Sequence, residues 1–488
     1  MRRGRPSSGS PEVRRSAARR PTQVCYPRSM TSRVDSELGE LLELGDRIIA
    51  MATKGGATVA ECLLRSGAEL SARVRLGKPE LVEEAAHRSA GLRVMKGKQV
   101  ATTSTSDLTE GGIQRFVSDA LELVELAQED PYAGPADEAL LDPKDAPDLD
   151  LFDPKGGSVD AAQAIATAKI GEQAARDFDA RISNSEGATF SRTAGGAAIV
   201  LSSGFRSAYK GSYQSLSVVP VAEDEGGKKR RGYFWTAKRF LDELDDPKSV
   251  GQEAARRTLR KLGARTVTTG EFPVVFDPDA ARSILGMLAG CIMGSSIWRK
   301  SSYLVGREGS QVASSLVTIV DDPLIKRAPG SRPYDGEGLP SRRNVVVENG
   351  VLRTYLCDSY SARKLGRKST GNAARGGSAG VSCSTTNFIL SPGTDSNEAI
   401  VKGTKSGLYV TEMMGFGFNA VTGDFSRGAA GFWIENGELA FPVSEVTISL
   451  NVDELYKRID AVGSDLDLRT ATAAPTIRVS RMTVAGAG

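Results

Sequence analysis

Asn349-Gly350 and Asn436-Gly437 each stand between runs of β-branched and aromatic residues. Both central residues of a type I′ turn need φ > 0, which Asn and Gly accept at the least cost. The runs Phe432–Glu435 and Glu438–Val443 are therefore expected to pair as one tight antiparallel hairpin, and NVVVE with VLRTYLCD as another. Two such hairpins imply a large antiparallel β-sheet as the core of the C-terminal half, residues 266–488. The turns share VENG and IENG, too few residues to argue a duplication.

The first half reads differently. Asp35–Ala52 carries Leu38, Leu41, Leu42, Ile48 and Ile49 at helical spacing. Thr58–Leu64, Glu69–Leu76 and Leu92–Lys96 read as short strands, with turn signals at Gly67 and Gly77-Lys78-Pro79. Ile113–Ala127 follows as a helix behind the capping run TSTSDLT. Residues 128–158, rich in Asp, Pro and Gly, predict an extended surface connector. Beyond it lie an Ala-rich helix (Val159–Phe178), an antiparallel meander over Arg181–Thr236 and a helix over Ser249–Leu262. The expected fold class is α+β with two domains: an N-terminal α/β domain with a meander at 30–265, and the β-rich C-terminal domain.

Length and charge exclude several classes. A chain of 488 residues has room for two to four domains. Its apolar runs, the longest near Ser283–Ile297, fall short of the roughly 20 residues a spanning helix needs. Five cysteines without a CxxC pair fit free thiols in a reducing cytosol. The formal charge of +3 is concentrated in residues 1–29, where eight arginines face only Glu12, so the rest carries about −4. An acidic body argues against a nucleic-acid surface. The tail reads as a disordered extension, with the working start expected at Met30.

The chain contains one histidine, His87, which removes HExxH zinc helices and most triads. Asp321, Asp322, Asp335 and Glu337 offer oxygen ligands but sit beside Pro and Gly as turn formers do. Ser361-x-x-Lys364 with Lys405-Ser406-Gly407 imitates a serine acyl-transferase, but too few residues separate the two for the usual intervening domain. Gly415-x-Gly417-x-x-Ala420 opens no helix and is not a dinucleotide fingerprint.

Other stretches carry a family likeness: STSDL at 104–108, DAPDLDLFDP, SSYLVGREGS, YDGEG, SYSARKLGRKSTGNA, GLYVTEMMGFGFNAVTGDFSRGAAGFWIENGELAFPVSEVTISLN and RMTVAG. From about Thr58 onward the chain resembles the TldD/PmbA family, in its PmbA (TldE) branch. The resemblance implies a cytoplasmic, heterodimeric zinc metallopeptidase acting on unfolded or modified peptides, with zinc on a HExxxH helix of the TldD-like paralogue. The matching helix here, Pro278–Ser296, holds neither His nor Glu, so the chain is expected to be the partner without metal or catalytic residues. Cys291 on that helix is expected to pack as a small hydrophobe.

Leu408–Asn419 is the candidate free strand edge for an extended peptide. The residues expected to meet peptide or partner are Thr411, Glu412, Met414, Gly415, Gly417, Asn419, Thr422, Asp424 and Arg427. The alternatives are a homodimeric peptide-binding protein without hydrolysis and a modulator of DNA gyrase.

Overall fold

The computed structural model describes residues 30–141, 147–376 and 380–486. The Arg-rich tail and Cys25 lie outside the described residues. The architecture is α+β with mostly antiparallel sheets, as expected.

The first half is a seven-stranded sheet, all of it antiparallel, built on two long hairpins. Strand β1 (Val59–Arg75) pairs with β2 (Lys78–Lys96), which pairs with β3 (Gln99–Thr105). Strand β4 (Asn184–Leu201) joins β1 to β5 (Arg206–Glu223), and β6 (Lys229–Arg231) and β7 (Phe234–Lys238) both pair with β5. Leu76 and Gly77, with φ of 50° and 76°, close the first hairpin. Glu172 holds that turn by accepting from both backbone N–H groups, at 2.6 and 2.7 Å.

Even-numbered residues of β1 share one face, and two helix pairs cover it. Helices α1 (Met30–Lys54) and α2 (Glu110–Leu126) pack on Ala60, Cys62 and Leu64. Helices α3 (Ala161–Arg176) and α4 (Pro247–Leu259) pack on Leu70, Ala72 and Val74.

The structure corrects the sequence reading at three places. Thr58–Leu64 and Glu69–Leu76 are one strand: Gly67 is paired on both sides, to His87 and Gly195, and its missing side chain makes room for the His87 ring rather than a turn. VEEAAHRSAG is accordingly part of β2, with His87 exposed. Second, the described part of the Pro-rich connector is not a surface tether. Arg363 donates to the carbonyls of Tyr132, Gly134 and Pro135, and Leu149, Leu151 and Phe152 are buried. Third, the helix expected to reach Ser296 ends at Cys291, because Met293 turns extended and Gly294 donates to the Leu356 carbonyl.

The second half carries a six-stranded sheet. Strands β8 (Gly270–Phe276), β9 (Ser406–Met414), β10 (Asp424–Glu435) and β11 (Glu438–Asn451) run side by side. Strands β12 (Ile459–Val462) and β13 (Ile477–Ala485) follow on the far side of β8, and β13 also pairs with β11, which closes five strands into a ring. The β8–β9 pairing is parallel, an exception to the expected antiparallel order. Both Asn-Gly turns form as two-residue loops with φ near 50° and 80°. Helix α5 (Pro278–Cys291) fills the interior with Ile284, Leu285 and Leu288.

One buried ion triad joins the halves. The Glu61 carboxylate on β1 accepts from Arg93 at 3.0 Å and from Arg375 of the second half, all three being under a tenth exposed. Burial alone would raise its pKa, but Arg375 and Arg93 hold it below the usual glutamate range. Its stabilisation is therefore full above the unfolded value of 4.5 and is lost as the pH falls through the folded one. Glu61→Ala leaves two guanidinium groups buried without their anion, and urea denaturation at pH 7 should show a loss of about 3–5 kcal/mol. A loss under about 1 kcal/mol, the value of an exposed pair, would show that the triad does not hold the halves together.

Candidate functional site

Strand β9 is where the two halves open. Leu408–Val410 is paired on both sides, to Trp433–Gly431 of β10 and to Val274–Phe276 of β8, so this stretch is not the free edge the sequence suggested. Strand β8 stops at Phe276 because Asp277-Pro278 starts α5. The Asp277 carboxylate caps the helix by accepting from the Ala280 N–H at 2.8 Å, and Pro278 fills the first turn. From Thr411 onward the β8 side of β9 is therefore uncovered, and it faces a cleft between the halves.

The cleft has two recesses that share Tyr233, Asp279, Thr411 and Glu412. The inner one, of about 400 Å³, is floored by Tyr409, Phe432 and Leu439; the outer one, of about 580 Å³, reaches Ser283, Met413 and Met414. Its N-terminal wall is cationic (Arg256, Arg257, Arg260, Lys261) and its C-terminal wall acidic (Asp277, Asp279, Glu398, Glu412). Most of these charges pair. Lys261 meets Glu412, Arg257 reaches Glu253 at 2.8 Å and Asp279 at 3.5 Å, and Arg256 lies 2.7 Å from Glu253. Burial pushes the Asp277 carboxyl up to about 7 against the pull of its Ala280 hydrogen bond and of Arg257, with Asp279 and Glu412 adding repulsion.

Of the residues singled out from the sequence, Thr411, Glu412 and Met414 line the cleft. The others shape the loop beyond β9. Gly415 has φ of 79° and its carbonyl accepts from Arg427 Nε at 2.7 Å, while Arg427 Nη1 donates to Ser283 of α5 at 3.0 Å. Gly417 lies against the Ser426 carbonyl, leaving no room for a Cβ. Asn419 accepts from the Val421 N–H at 2.9 Å, and Thr422 donates to Asp424 at 2.7 Å. This loop presents Phe416, 98% exposed, and Val421 to solvent. The sequence reading missed Asp277, Arg260, Tyr409 and Phe432; the Asp-Pro start of α5 was the legible signal for the first.

Models of the three PmbA/TldA metallopeptidase domains match residues 60–124 (domain 1), 154–262 (central domain) and 269–486 (C-terminal domain). The metalloprotease PmbA of Escherichia coli O157:H7 is 37% identical over 93% of this chain and 98% of its own. A PmbA homologue of Haemophilus influenzae is 36% identical over the same shares. The chain belongs to the PmbA/TldD family, in its PmbA (TldE) branch. Among solved structures, a proposed DNA gyrase modulator from Bacteroides thetaiotaomicron superposes on 92% of this PmbA-type chain and 99% of its own, with a TM-score of 0.86 at 27% identity. TldE of Thermococcus kodakarensis shares the fold over 91% of the chain and 100% of its own, with a TM-score of 0.81 at 21% identity.

The family implies zinc, and α5 is the helix whose side chains would have to hold it. Gly286 and Gly290 are its exposed residues and carry no donor atoms, and Cys291 is fully buried, its thiol pushed up to about 11 by burial. Asp321 and Asp335 are committed to backbone and amide partners: Thr386 N and Asn372 for the first, Glu337 N, Leu339 N and Ala373 N for the second. Among the described residues no three His, Cys, Asp or Glu side chains come together as a metal site. The donor set on α5 and around Asp321 and Asp335 does not fit a hydrolytic zinc. Nor is any described helix long and apolar enough to cross a membrane.

Asp277 carries a testable consequence for stability. Its folded pKa lies above its unfolded value of 3.8, so this carboxyl's own contribution to stability is greatest below 3.8 and is lost as the pH rises through about 7. Asp277→Asn keeps the helix cap and removes the charge. The variant should be more stable than the parent at pH 8, by about 1–3 kcal/mol, and no more stable at pH 4. Equal thermal melting shifts at both pH values would show that the carboxyl does not titrate in this way.

Proposed function

We propose that this chain is the non-catalytic subunit of a TldD/TldE-type zinc metallopeptidase working in the cytoplasm on unfolded or modified peptides. The observation that carries the reading is the chemistry of α5, whose outward positions Gly286 and Gly290 offer no ligand, in a family whose relatives are named metalloproteases. Zinc, in this reading, is held by the HExxxH helix of a TldD-like partner, where it lowers the pKa of bound water to about 7. The uncovered edge of Thr411–Met414 is suited to pair main chain to main chain with an extended peptide, which tolerates varied side chains. The four free cysteines among the described residues support a reducing compartment.

The name of the Bacteroides structure favours a second reading, gyrase modulation. An acidic body beyond residue 29 gives it no electrostatic support.

Purified alone, the chain should bind no stoichiometric zinc by elemental analysis and should not cleave an unstructured peptide. Co-expressed with a HExxxH-bearing paralogue, it should form a complex with activity that neither chain has alone. Zinc binding or cleavage by the isolated chain overturns the proposal. Phe416, almost wholly exposed on a loop beside α5, is the expected anchor for the partner. Phe416→Asp should leave the fold intact and weaken assembly by roughly thirtyfold or more, about 2 kcal/mol, in analytical ultracentrifugation.

A further inference from the structure

The inner recess of the cleft leaves two opposite charges over. Arg260, just past the end of α4, has no hydrogen bond or ion pair among the described residues, and its guanidinium carbon lies over the Phe432 ring, 4.3 Å from the ring centre. Burial pulls its pKa down, so the site already bears part of the cost of desolvating a cation. On the opposite wall Asp277 is 8% exposed and uses one oxygen for the helix cap, while the other has no partner among the described residues.

Tyr409 lines the same recess, and its hydroxyl accepts from Asn397 at 2.9 Å, which leaves its own proton to donate. The remaining cationic side chains of the recess are matched by Glu253, Asp279 and Glu412, and Glu398 is exposed at the mouth. A half-buried guanidinium and a buried carboxyl, each with a hydrogen-bonding position unused among the described residues and with Arg257 acting on the carboxyl without a hydrogen bond, are costly unless something bridges them. A single molecule carrying both a carboxylate and an ammonium group meets both.

We propose that this recess binds a small zwitterion, a free α-amino acid or a two- or three-residue peptide with both ends unblocked, with its carboxylate on Arg260 and its ammonium on Asp277. The volume of about 400 Å³ lies at the small end of ligand pockets, roughly 300–1,000 Å³, and excludes a long chain lying wholly inside. Phe432 and Leu439 on the floor favour an apolar side chain. A planar guanidinium on an aromatic ring is preorganised for bidentate carboxylate binding. The molecules so described are products of peptide hydrolysis, which gives a peptidase subunit a place to hold short products or respond to them. The site itself does not rest on the heterodimer reading.

The test is calorimetric titration of the full chain, without a partner, with leucyl-leucine, its N-acetyl derivative and its C-terminal amide. The unblocked dipeptide should bind at about 1 mM or tighter, and blocking either end should weaken binding at least tenfold. Arg260→Gln should erase the difference between the free acid and the amide, and Asp277→Asn the difference between the free amine and the acetylated form. Thermal melts report whether each variant is folded, and the blocked peptides test the wild-type chain with no substitution at all. Equal affinity for blocked and unblocked forms, or no binding of any at about 10 mM, overturns the proposal. Neither result would touch the subunit's pairing with a zinc-bearing paralogue.

Discussion

Glu61 is the point on which the two halves are hung. It projects from the face of the first sheet that the helices leave bare, and it meets one arginine from its own sheet and one from the second half. A carboxylate so fully removed from water is tolerated only while both cations stay in place. Arg375 also donates to the Gly336 carbonyl, and Arg65 of β1 donates to the Arg375 carbonyl. The triad thus ties β1 to the turn around Asp335, whose oxygens organise three backbone N–H groups. Aromatic packing beside it, with Tyr334 edge-on to Phe205 and Tyr209, adds non-polar area at the same junction. With the halves fixed there, the cleft further along the sheets has a set width.

That cleft owes its edge to a local conflict. Strand β8 would need to run past Phe276 to cover Thr411–Met414, but Asp277-Pro278 starts a helix instead. Proline fixes φ and lacks an N–H, so it suits the first helical turn and would break a ladder. One dipeptide therefore ends a strand, caps a helix and exposes the edge of its neighbour. The same aspartate then lies inside the cleft, at a position where its charge costs stability. Departures from local consistency of this kind are expected where a protein keeps a group for function.

Much of the architecture was legible in the sequence because it was encoded locally. The Asn-Gly turns declared themselves by backbone preference, and helices α1 and α4 by apolar spacing. Gly67 misled, because a glycine in a strand looks the same whether it marks a turn or admits a neighbour's ring; only the register of His87 against it decides. The stretch Lys78–Arg88 was unreadable as strand for a related reason, being exposed throughout and held by pairing to β1 alone. Of the candidate site, Thr411, Glu412 and Met414 were nameable because they lie in one distinctive run. Asp277 could be read only as the Asp-Pro start of a helix and Arg260 only as an ordinary surface charge, until the fold brings both to the lining of one recess.

The contrast between α5 and the recess bears on how such a chain is kept in use. Helix α5 packs Ile284, Leu285 and Leu288 inward while its two exposed positions, Gly286 and Gly290, are glycine, so that part of its outer face offers shape without donor atoms. Glycine in a helix interior costs about 1 kcal/mol relative to alanine, and two such positions on one exposed face are a standing loss of stability. A loss of that kind is explained if another backbone approaches closely there, since a side chain would hold it off. The adjoining loop supports this, because Arg427 ties it to Ser283 while Phe416 is left in solvent, where an apolar ring gains nothing until a second surface covers it. Arg427 and Ser283 thus link the loop that carries Phe416 to the helix that carries Gly286 and Gly290, and the proposed partner would meet both.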